Sequence, residues 1–228
     1  MKKHLIVAWG LTVPLLLSGC IALTDPLIPG GGGTVIGSGR VITVSRSVSG
    51  FSTIRVNGVA RVTIEQTGEE TLSITADDNI VPVLHSDVED GTLILGTRDD
   101  TNIESSTEIF YRLTVKDLRG IDINGVITAD AAGLDTDRLD INLNGVSTLT
   151  TEGRADRQFI NLNGVSAYRA DKLHSLEARV EADGVLTVVL RVSDRLDVLA
   201  CGAGSVEYIG DPLVDLHDTC AAVTVRKL

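Results

Sequence analysis

The chain has 228 residues, and its 31 Asp and Glu residues against 20 Lys and Arg residues give a formal net charge of −11 at pH 7. This acidic balance excludes a typical nucleic-acid-binding protein, which needs a basic surface. Aromatic residues make up only 3% of the chain, which counts against sugar binding through stacked rings. We therefore expect a protein or glycan partner that the sequence does not identify, and no nucleic acid.

Residues 1–19 are predicted to be a lipoprotein signal peptide. A pair of lysines forms a positive start, and the apolar run from Leu5 to Leu17 is shorter than the ~20 residues of a membrane-spanning helix. The segment from Leu17 to Cys20 resembles a bacterial lipobox. This resemblance implies cleavage before Cys20 and lipid attachment to its sulfur and new amino group. A plain signal peptide with an accidental cysteine is the alternative.

Residues 20–33 are predicted to form the lipidated cysteine and a flexible tether. Several acyl chains on Cys20 would anchor the protein to the membrane stably, whereas a single chain binds only marginally. The absence of Asp at Ile21 resembles an outer-membrane address, facing the periplasm or the outside. Two prolines stiffen the tether and Gly30–Gly33 loosen it, so it would hold a folded body off the membrane.

The stretch between residues 50 and 117 is predicted to consist mainly of short strands, with a short helical turn near Pro82. A polar segment at residues 98–107 is predicted to be an exposed loop, and no long helix is predicted anywhere. The predicted strands are two around a bend within residues 51–65, followed by residues 71–75, 92–95 and 109–115.

An Asn-Gly-Val triplet then recurs at almost constant spacing. After the first copy a gap of 67 residues follows, and the later copies are 20, 19 and 20 residues apart. Ala203-Gly204-Ser205 continues the series in weakened form, 20 residues further on. Fixed periods of this size mark repeat architectures. The predicted corners of the repeat are Asn57-Gly58, Asn124-Gly125, Asn144-Gly145, Asn163-Gly164 and Asp183-Gly184.

Apolar and polar residues alternate strictly before each triplet, which is typical of a half-buried strand. One set of side chains is expected to point inward and the other outward, and Asn-Gly or Asp-Gly then turns the chain. The inward set is Ile121, Ile123, Ile141, Leu143, Ile160, Leu162, Val180 and Ala182. The outward row is Asp122, Asn142, Asn161 and Glu181.

The period predicts an all-β fold in which residues 34–228 form one parallel β-helix with about 20 residues per coil. Inward residues of the same type would stack between coils, and corner asparagines would hydrogen-bond along a ladder. An antiparallel sheet of ordinary hairpins, arranged as a sandwich or meander, is the competing fold, because Asn-Gly also favours hairpin turns.

Short motifs in a fixed order resemble the bacterial family called Putative auto-transporter adhesin, head GIN domain. The resemblance covers residues 37–228 and implies a right-handed parallel β-helix that is exported and often lipid-anchored. Its name suggests adhesion, and it brings no catalytic residues. Many members have Gly-Ser-Gly where this chain has Asn-Gly-Val. The motifs are Gly37–Arg40, Val48–Phe51 with Ile54, Gln66–Gly68, Asp77–Asn79, Asp90–Leu93, the glycine-centred repeats and Tyr208–Pro212.

The best catalytic candidate is the outward row, because polysaccharide-cleaving enzymes need grouped carboxylates. Only Asp122 and Glu181 are acids, and no Lys or Arg is expected to join them, so a solvated strand face is favoured. Neither Asp77 with Asp78 nor Asp99 with Asp100 has the spaced ligands of a calcium loop. We expect no metal site and no cofactor, since the remaining histidines, His85, His174 and His217, are scattered.

Cys201 and Cys220 are expected to form a disulfide, because cysteine pairs in exported chains usually bond. Their separation of 19 residues is close to one coil, and a rung spacing of about 4.8 Å suits a bridge.

The sequence as a whole favours a lipid-anchored envelope or surface module with a non-catalytic adhesive, binding or structural role. Alternatives are a polysaccharide-active enzyme on the same scaffold and a periplasmic accessory of a signalling or transport system.

Overall fold

The protein is all-β, as the sequence predicts. The computed structural model describes residues 33–98, 101–105, 107–217 and 222–228, which all belong to one compact unit, Gly32–Leu228. The predicted signal peptide, Cys20 and nearly all of the predicted tether lie outside the described residues. No helix in the described part of the chain has the length and apolar character needed to cross a membrane.

Eleven strands and one short 3-10 helix make up the described structure. In chain order they are β1 Thr34–Ile36, β2 Val41–Arg46, β3 Thr53–Gln66, β4 Thr71–Asp77, the 3-10 helix Val81–Val83, β5 Leu84–Glu89, β6 Thr92–Thr97, β7 Asn102–Glu104, β8 Phe110–Val115, β9 Gly120–Ile209, β10 Leu213–His217 and β11 Ala222–Lys227.

Most of the early predicted elements are confirmed, with three differences. One is the strand β5, which was not predicted. The two strands predicted around a bend in residues 51–65 are one continuous strand, β3. The loop predicted at residues 98–107 contains β7, which pairs in parallel with β1. A three-residue strand of polar composition is too short to show alternation, so the sequence could not reveal it. The helical turn near Pro82 is the 3-10 helix.

Parallel pairing dominates the nine-stranded sheet, whose main order is β10-β9-β3-β8-β4-β2. β3 runs parallel to β6, β8 and β9, and β10 and β11 both run parallel to β9. Antiparallel pairs occur in the N-terminal half, where β4 pairs with β2 and β8, and β5 pairs with β6. The competing fold of antiparallel hairpins throughout is therefore not observed in the described residues.

The first triplet lies directly beside the second, although 67 residues separate them in sequence. β3 and β9 pair with Asn57 opposite Asn124, Gly58 opposite Gly125 and Val59 opposite Val126. The intervening residues form β4 to β8. The five strands between the first and second triplets therefore leave these two triplets in register.

Within β9 the glycines of successive triplets stack backbone over backbone. A Cβ atom built on Gly145 would lie 2.5 Å from the carbonyl oxygen of Gly125, and one on Gly164 would lie 2.5 Å from that of Gly145. A Cβ atom on Gly184 would likewise collide with the carbonyl oxygen of Gly164. Real Cβ atoms do not approach this closely, so these positions have room for glycine alone.

The predicted continuation at Ala203-Gly204-Ser205 is wrong by two residues. Gly202 is the residue that lies against the carbonyl oxygen of Gly184, and Gly204 lies against that of Leu186. The last step is therefore 18 residues (202 − 184) rather than 20. The sequence contains two glycines in this region, and similarity to the triplet favoured the wrong one.

The inward set predicted from alternation is confirmed, because all eight of its members are buried in the hydrophobic core. Each member of the outward row is at least partly exposed to solvent. Burial of each large aliphatic side chain stabilises a fold by about 1.5–3 kcal/mol. The buried side chains form one continuous core beneath the stacked segments.

A chain of buried polar groups crosses this core. The Tyr168 hydroxyl donates to Gln158 Oε1 at 2.6 Å, Gln158 Nε2 donates to Ser175 Oγ at 2.9 Å, and Ser175 Oγ donates to the Arg191 carbonyl at 2.9 Å. Thr151 Oγ1 lies 3.0 Å from the Tyr168 hydroxyl. Burial raises the pKa of Tyr168. Unpaired polar groups are costly to bury, so this network restricts how the segments can stack.

Asp77 at the end of β4 holds two loops together from a buried position. Its Oδ2 accepts hydrogen bonds from the Gly39 N–H at 3.2 Å and the Ser105 hydroxyl at 2.9 Å. Hydrogen bonds from Thr107, Gly39 and Ser105 hold the pKa of Asp77 below its ordinary value. A side chain at Gly37 would collide with this carboxylate and come within 2.5 Å of Ser105 Oγ.

The next two residues, Asp78 and Asn79, hold the segment that follows the predicted tether. We call Asp77, Asp78 and Asn79, together with residues 36–40 that they contact, the clamp. Asp78 accepts hydrogen bonds from the Ser38 hydroxyl at 2.5 Å and from Arg40 Nε at 2.6 Å. Asn79 Oδ1 accepts from the Ser38 N–H at 3.0 Å, and its Nδ2 donates to the Ile36 carbonyl at 2.7 Å. Two motifs singled out by the family resemblance, 37–40 and 77–79, thus contact each other.

The glycine stack gives a matched pair of substitutions. Gly58 and Gly145 both have positive φ, +100° and +109°, but a Cβ on Gly58 meets nothing within 4 Å. Both Gly→Ala changes introduce backbone strain of about 1–3 kcal/mol. Gly145→Ala should destabilise the protein by about 1–3 kcal/mol more, because it also forces the rungs apart. Urea unfolding measures both, and equal losses would contradict the close approach.

Asp77 should make stability depend on acid pH. Its folded-state pKa lies below the ordinary value of 3.8, so its stabilisation is complete above that value and is lost as pH falls through the folded pKa. Asp77→Asn should therefore be less stable than wild type at neutral pH, with the difference shrinking in strong acid. Urea midpoints across pH measure this, and Asp130→Asn, an exposed acid, is the control. A difference that stays constant into strong acid would refute the role of the charge.

Candidate functional site

The valines of the triplets form an exposed apolar row. Their exposed fractions lie between 51% and 65%, and they follow one another along the stacked segments. We call Val59, Val126, Val146, Val165 and Val185 the valine row. Sequence reasoning missed it, because the triplet drew attention to its Asn and Gly. The available signal was the alternation, which continues through the glycine and places each valine on the same outward side as the Asn or Asp two residues before it.

An asparagine ladder runs along one side of the valine row. Asn124 Nδ2 donates to Asn57 Oδ1 at 3.1 Å, Asn144 Nδ2 to Asn124 Oδ1 at 3.0 Å, and Asn163 Nδ2 to Asn144 Oδ1 at 3.1 Å. Asn124 and Asn144 therefore each donate to one neighbour and accept from the other. Asp183, the next position, makes no hydrogen bond with Asn163 in the described structure, since a carboxylate cannot donate.

A third row lies on the other side of the valines, two residues further along the chain. We call Arg61, Thr128, Thr148, Ala167 and Thr187 the threonine row. Between it and the valines runs a shallow groove of about 280 Å³. We call these three rows together the repeat face. Of its fifteen positions, Arg61 and Asp183 carry a charge, and Arg61 is paired with Glu108 at 3.1 Å.

The two acids of the outward row, which was weighed as a catalytic candidate, are paired with arginines. Arg55 lies 2.9 Å from Asp122, and Asn142 Nδ2 donates to the same Asp122 carboxylate at 2.7 Å. Arg179 Nε donates to Glu181 at 2.7 Å. The expectation that no Lys or Arg joins this row is therefore wrong.

The two arginines were hidden from the sequence for different reasons. Arg55 is 67 residues from Asp122, so only the pairing of β3 with β9 brings the two together. Arg179 is two residues before Glu181 and shares its face by alternation, so this pair could have been predicted from the sequence. Because each carboxylate is paired with an arginine, the two acids do not converge on a common point. The row is therefore a solvated surface.

Arginines also pair with acids two residues along the strand elsewhere on the surface. Such pairs join Arg138 with Asp140 at 2.8 Å, Arg154 with Asp156 at 2.8 Å, and Arg195 with Asp197 at 2.8 Å. Exposed ion pairs contribute little to stability, but they make these surfaces densely charged. The nearly uncharged repeat face differs from them in this respect.

One cluster in the described residues has the geometry of a metal site. Ligand atoms of Asp197, Asp215 and His217 lie within 4.8 Å of one another. Arg195 contacts Asp197 at 2.8 Å and Asp215 at 3.3 Å, so one guanidinium already pairs with both carboxylates. We assign no metal to this cluster.

The other predicted site residues fall into two groups. Asp77 and Asp78, weighed as a calcium pair, serve in the clamp instead. Cys20, Asp99, Asp100 and Cys220 lie outside the described residues. Cys201 is disulfide-bonded, and its pairing with Cys220 stays a prediction.

Comparisons with known proteins bear on the fold and the family. The chain is similar to crystal structures of proteins described as putative adhesins from three bacteria. The Bacteroides fragilis protein is 23% identical, with a TM-score of 0.68 over 85% of this chain and 100% of that chain. The Parabacteroides merdae protein is 18% identical, with a TM-score of 0.56 over 86% and 99%. The Parabacteroides distasonis protein is 20% identical, with a TM-score of 0.52 over 86% and 100%.

At these identities the structures show a shared fold and nothing more about activity. No curated protein matches the chain. The family comparison is stronger, because a single family model matches residues 50–212, which is well over half of the chain and contains the whole repeat face. The chain therefore belongs to the family described as Putative auto-transporter adhesin, head GIN domain.

Proposed function

We propose that this protein is a lipid-anchored module of the cell envelope that binds a partner through the repeat face and catalyses no reaction. The observation that carries the proposal is the exposed valine row between two polar, nearly uncharged rows. Contiguous exposed apolar surface marks interaction sites, and interface cores are depleted of charge. The family's description as an adhesin agrees with this role, and so does the surface or envelope location that the description suggests.

The scaffold behind this face is, in our proposal, a single domain at residues 34–228 that forms a right-handed parallel β-helix with about 20 residues per coil. The parallel pairing of β3 with β9, the glycine contacts and the asparagine ladder, with steps of 20 and 19 residues, support it. A right-handed sense is the rule for connections between parallel strands. Such a stack presents its side chains as rigid rows, which suits a binding surface.

The anchor in this proposal is Cys20, acylated after removal of residues 1–19, with residues 21–33 as the tether. The clamp then has a mechanical role. It fastens Ser38 and Ile36 to the acidic end of β4 through side-chain hydrogen bonds, close to where the tether joins the folded body. We place the protein at the outer membrane, facing the periplasm or the outside.

The anchor is tested by Cys20→Ser, which removes the sulfur that would carry the lipid. The full chain should shift from the membrane fraction to soluble or unprocessed protein when cells are fractionated and the protein is sized by mass spectrometry. Ser18→Ala, which keeps a small residue before the cut site, should leave membrane association unchanged. Unaltered fractionation and processing of Cys20→Ser would rule out the anchor.

The binding role is tested with the full chain on lipid vesicles, mixed with envelope fractions from the native host. Val126→Arg with Val165→Arg should reduce binding at least about tenfold, because each arginine places an unmatched charge at a desolvated contact. Asp122→Ala with Glu181→Ala should leave binding intact, since that row is already charge-paired. A parallel screen measures cleavage of acidic glycans. Reproducible cleavage that the second double variant abolishes would establish the enzyme alternative instead.

A further inference from the structure

We propose that the repeat face binds a second copy of this chain, with the two valine rows packed against each other in antiparallel orientation. This inference rests on the proposed function, because it names the partner of the same face. Its consequence is self-association of envelope-anchored copies, in which each copy is both receptor and ligand.

Charge selects this partner. The chain carries a formal net charge of −11, so two copies repel each other at long range and can meet only where the local surface is uncharged. The repeat face is such a surface, with the valine row at its centre and amide and hydroxyl rows on either side. A basic protein would instead be attracted to the acid-rich faces, and a lipid surface would need aromatic or basic side chains that the repeat face lacks apart from Arg61.

The rows are suited to pair with themselves. A two-fold axis that crosses the middle rung at Val146 keeps each row opposite its own kind and reverses the order of the rungs. Val146 then faces Val146, and Val59 faces Val185. The amide row meets an amide row, and amides both donate and accept.

The order of the rows chooses between the possible orientations. With parallel stacks, a two-fold axis along the valine row would place the amide row of one copy against the threonine row of the other, where Ala167 offers no side-chain hydrogen-bonding group. The antiparallel arrangement places amides against amides. Arg61 keeps its own partner, Glu108 at 3.1 Å, in either arrangement.

The size of the face predicts a weak contact. Four rung steps of about 4.8 Å give a length of roughly 19 Å between Val59 and Val185, and the outer rows lie about 13 Å apart along the strands. With side chains included, each copy covers on the order of 500 Å², or about 1,000 Å² in total, which is the range of transient complexes. Copies anchored on one surface are concentrated, so many weak contacts act together.

Single cysteines in the full chain, solubilised in detergent and mildly oxidised, test the arrangement. Val146→Cys should give a disulfide-linked dimer on non-reducing gels, at least about fivefold above wild type, which controls for the native cysteines. Val59→Cys and Val185→Cys should each give little dimer alone and much more when mixed. Leu176→Cys, 44% exposed on another surface, is the matched control. Efficient cross-linking of Val59→Cys alone, or of Leu176→Cys equally well, would overturn the proposal.

Sedimentation of the same detergent-solubilised chain gives an independent measurement. Self-association should weaken at least tenfold in Val146→Arg and remain unchanged in Leu176→Arg, with equal melting temperatures showing that both variants fold. Envelope fractions from host cells that lack the protein separate the two proposals. Binding to those fractions that depends on the valine row would support the binding role and overturn the second copy as partner. Binding that occurs with complete envelope fractions and is lost with the fractions that lack the protein supports both proposals.

Discussion

The close approach of backbones at the stacked glycines is the constraint on which this structure depends. A Cβ atom on Gly145 would lie 2.5 Å from the Gly125 carbonyl oxygen, so the rungs can meet only where no side chain intervenes. Glycine here also supplies the positive φ, +109° at Gly145, that bends the chain. The asparagines before the glycines then lie within hydrogen-bonding distance of one another. One residue type thus sets both the bend and the spacing between rungs.

The repeat face follows from alternation that continues through those glycines. Alternation runs unbroken through each triplet, so that Ile123 and Ile127 are buried while Asn124 and Val126 lie on the outward side. The same rule repeated on every rung produces a row rather than an isolated side chain. Acids elsewhere, such as Asp122 and Glu181, are held by arginines, so charge concentrates on the other surfaces. The nearly neutral face is therefore a product of the repeat and of pairing elsewhere.

The repeat made the all-β fold and the buried set readable, because alternation and periodicity are local signals. The pairing of Arg55 with Asp122 was not readable, since it depends on strands joined across 67 residues with no periodic signal between. The last rung was misplaced because Gly202 and Gly204 are both glycines, and only packing against Gly184 decides between them. β7 was missed because a three-residue strand has no period. The valine row was missed although the alternation, continued through each glycine, places every valine on the outward side.

The stack itself is tested most directly by a distance along it. Spin labels at Val59 and Val185, measured by double electron–electron resonance in the full chain diluted with unlabelled copies, report four rung steps across much of the sequence. Our account predicts a single narrow distribution near the ~19 Å that four steps of ~4.8 Å give, widened only by the label linkers. A broad distribution, or a peak beyond roughly twice that value, would show that the triplets do not stack and would contradict the fold and the repeat face together.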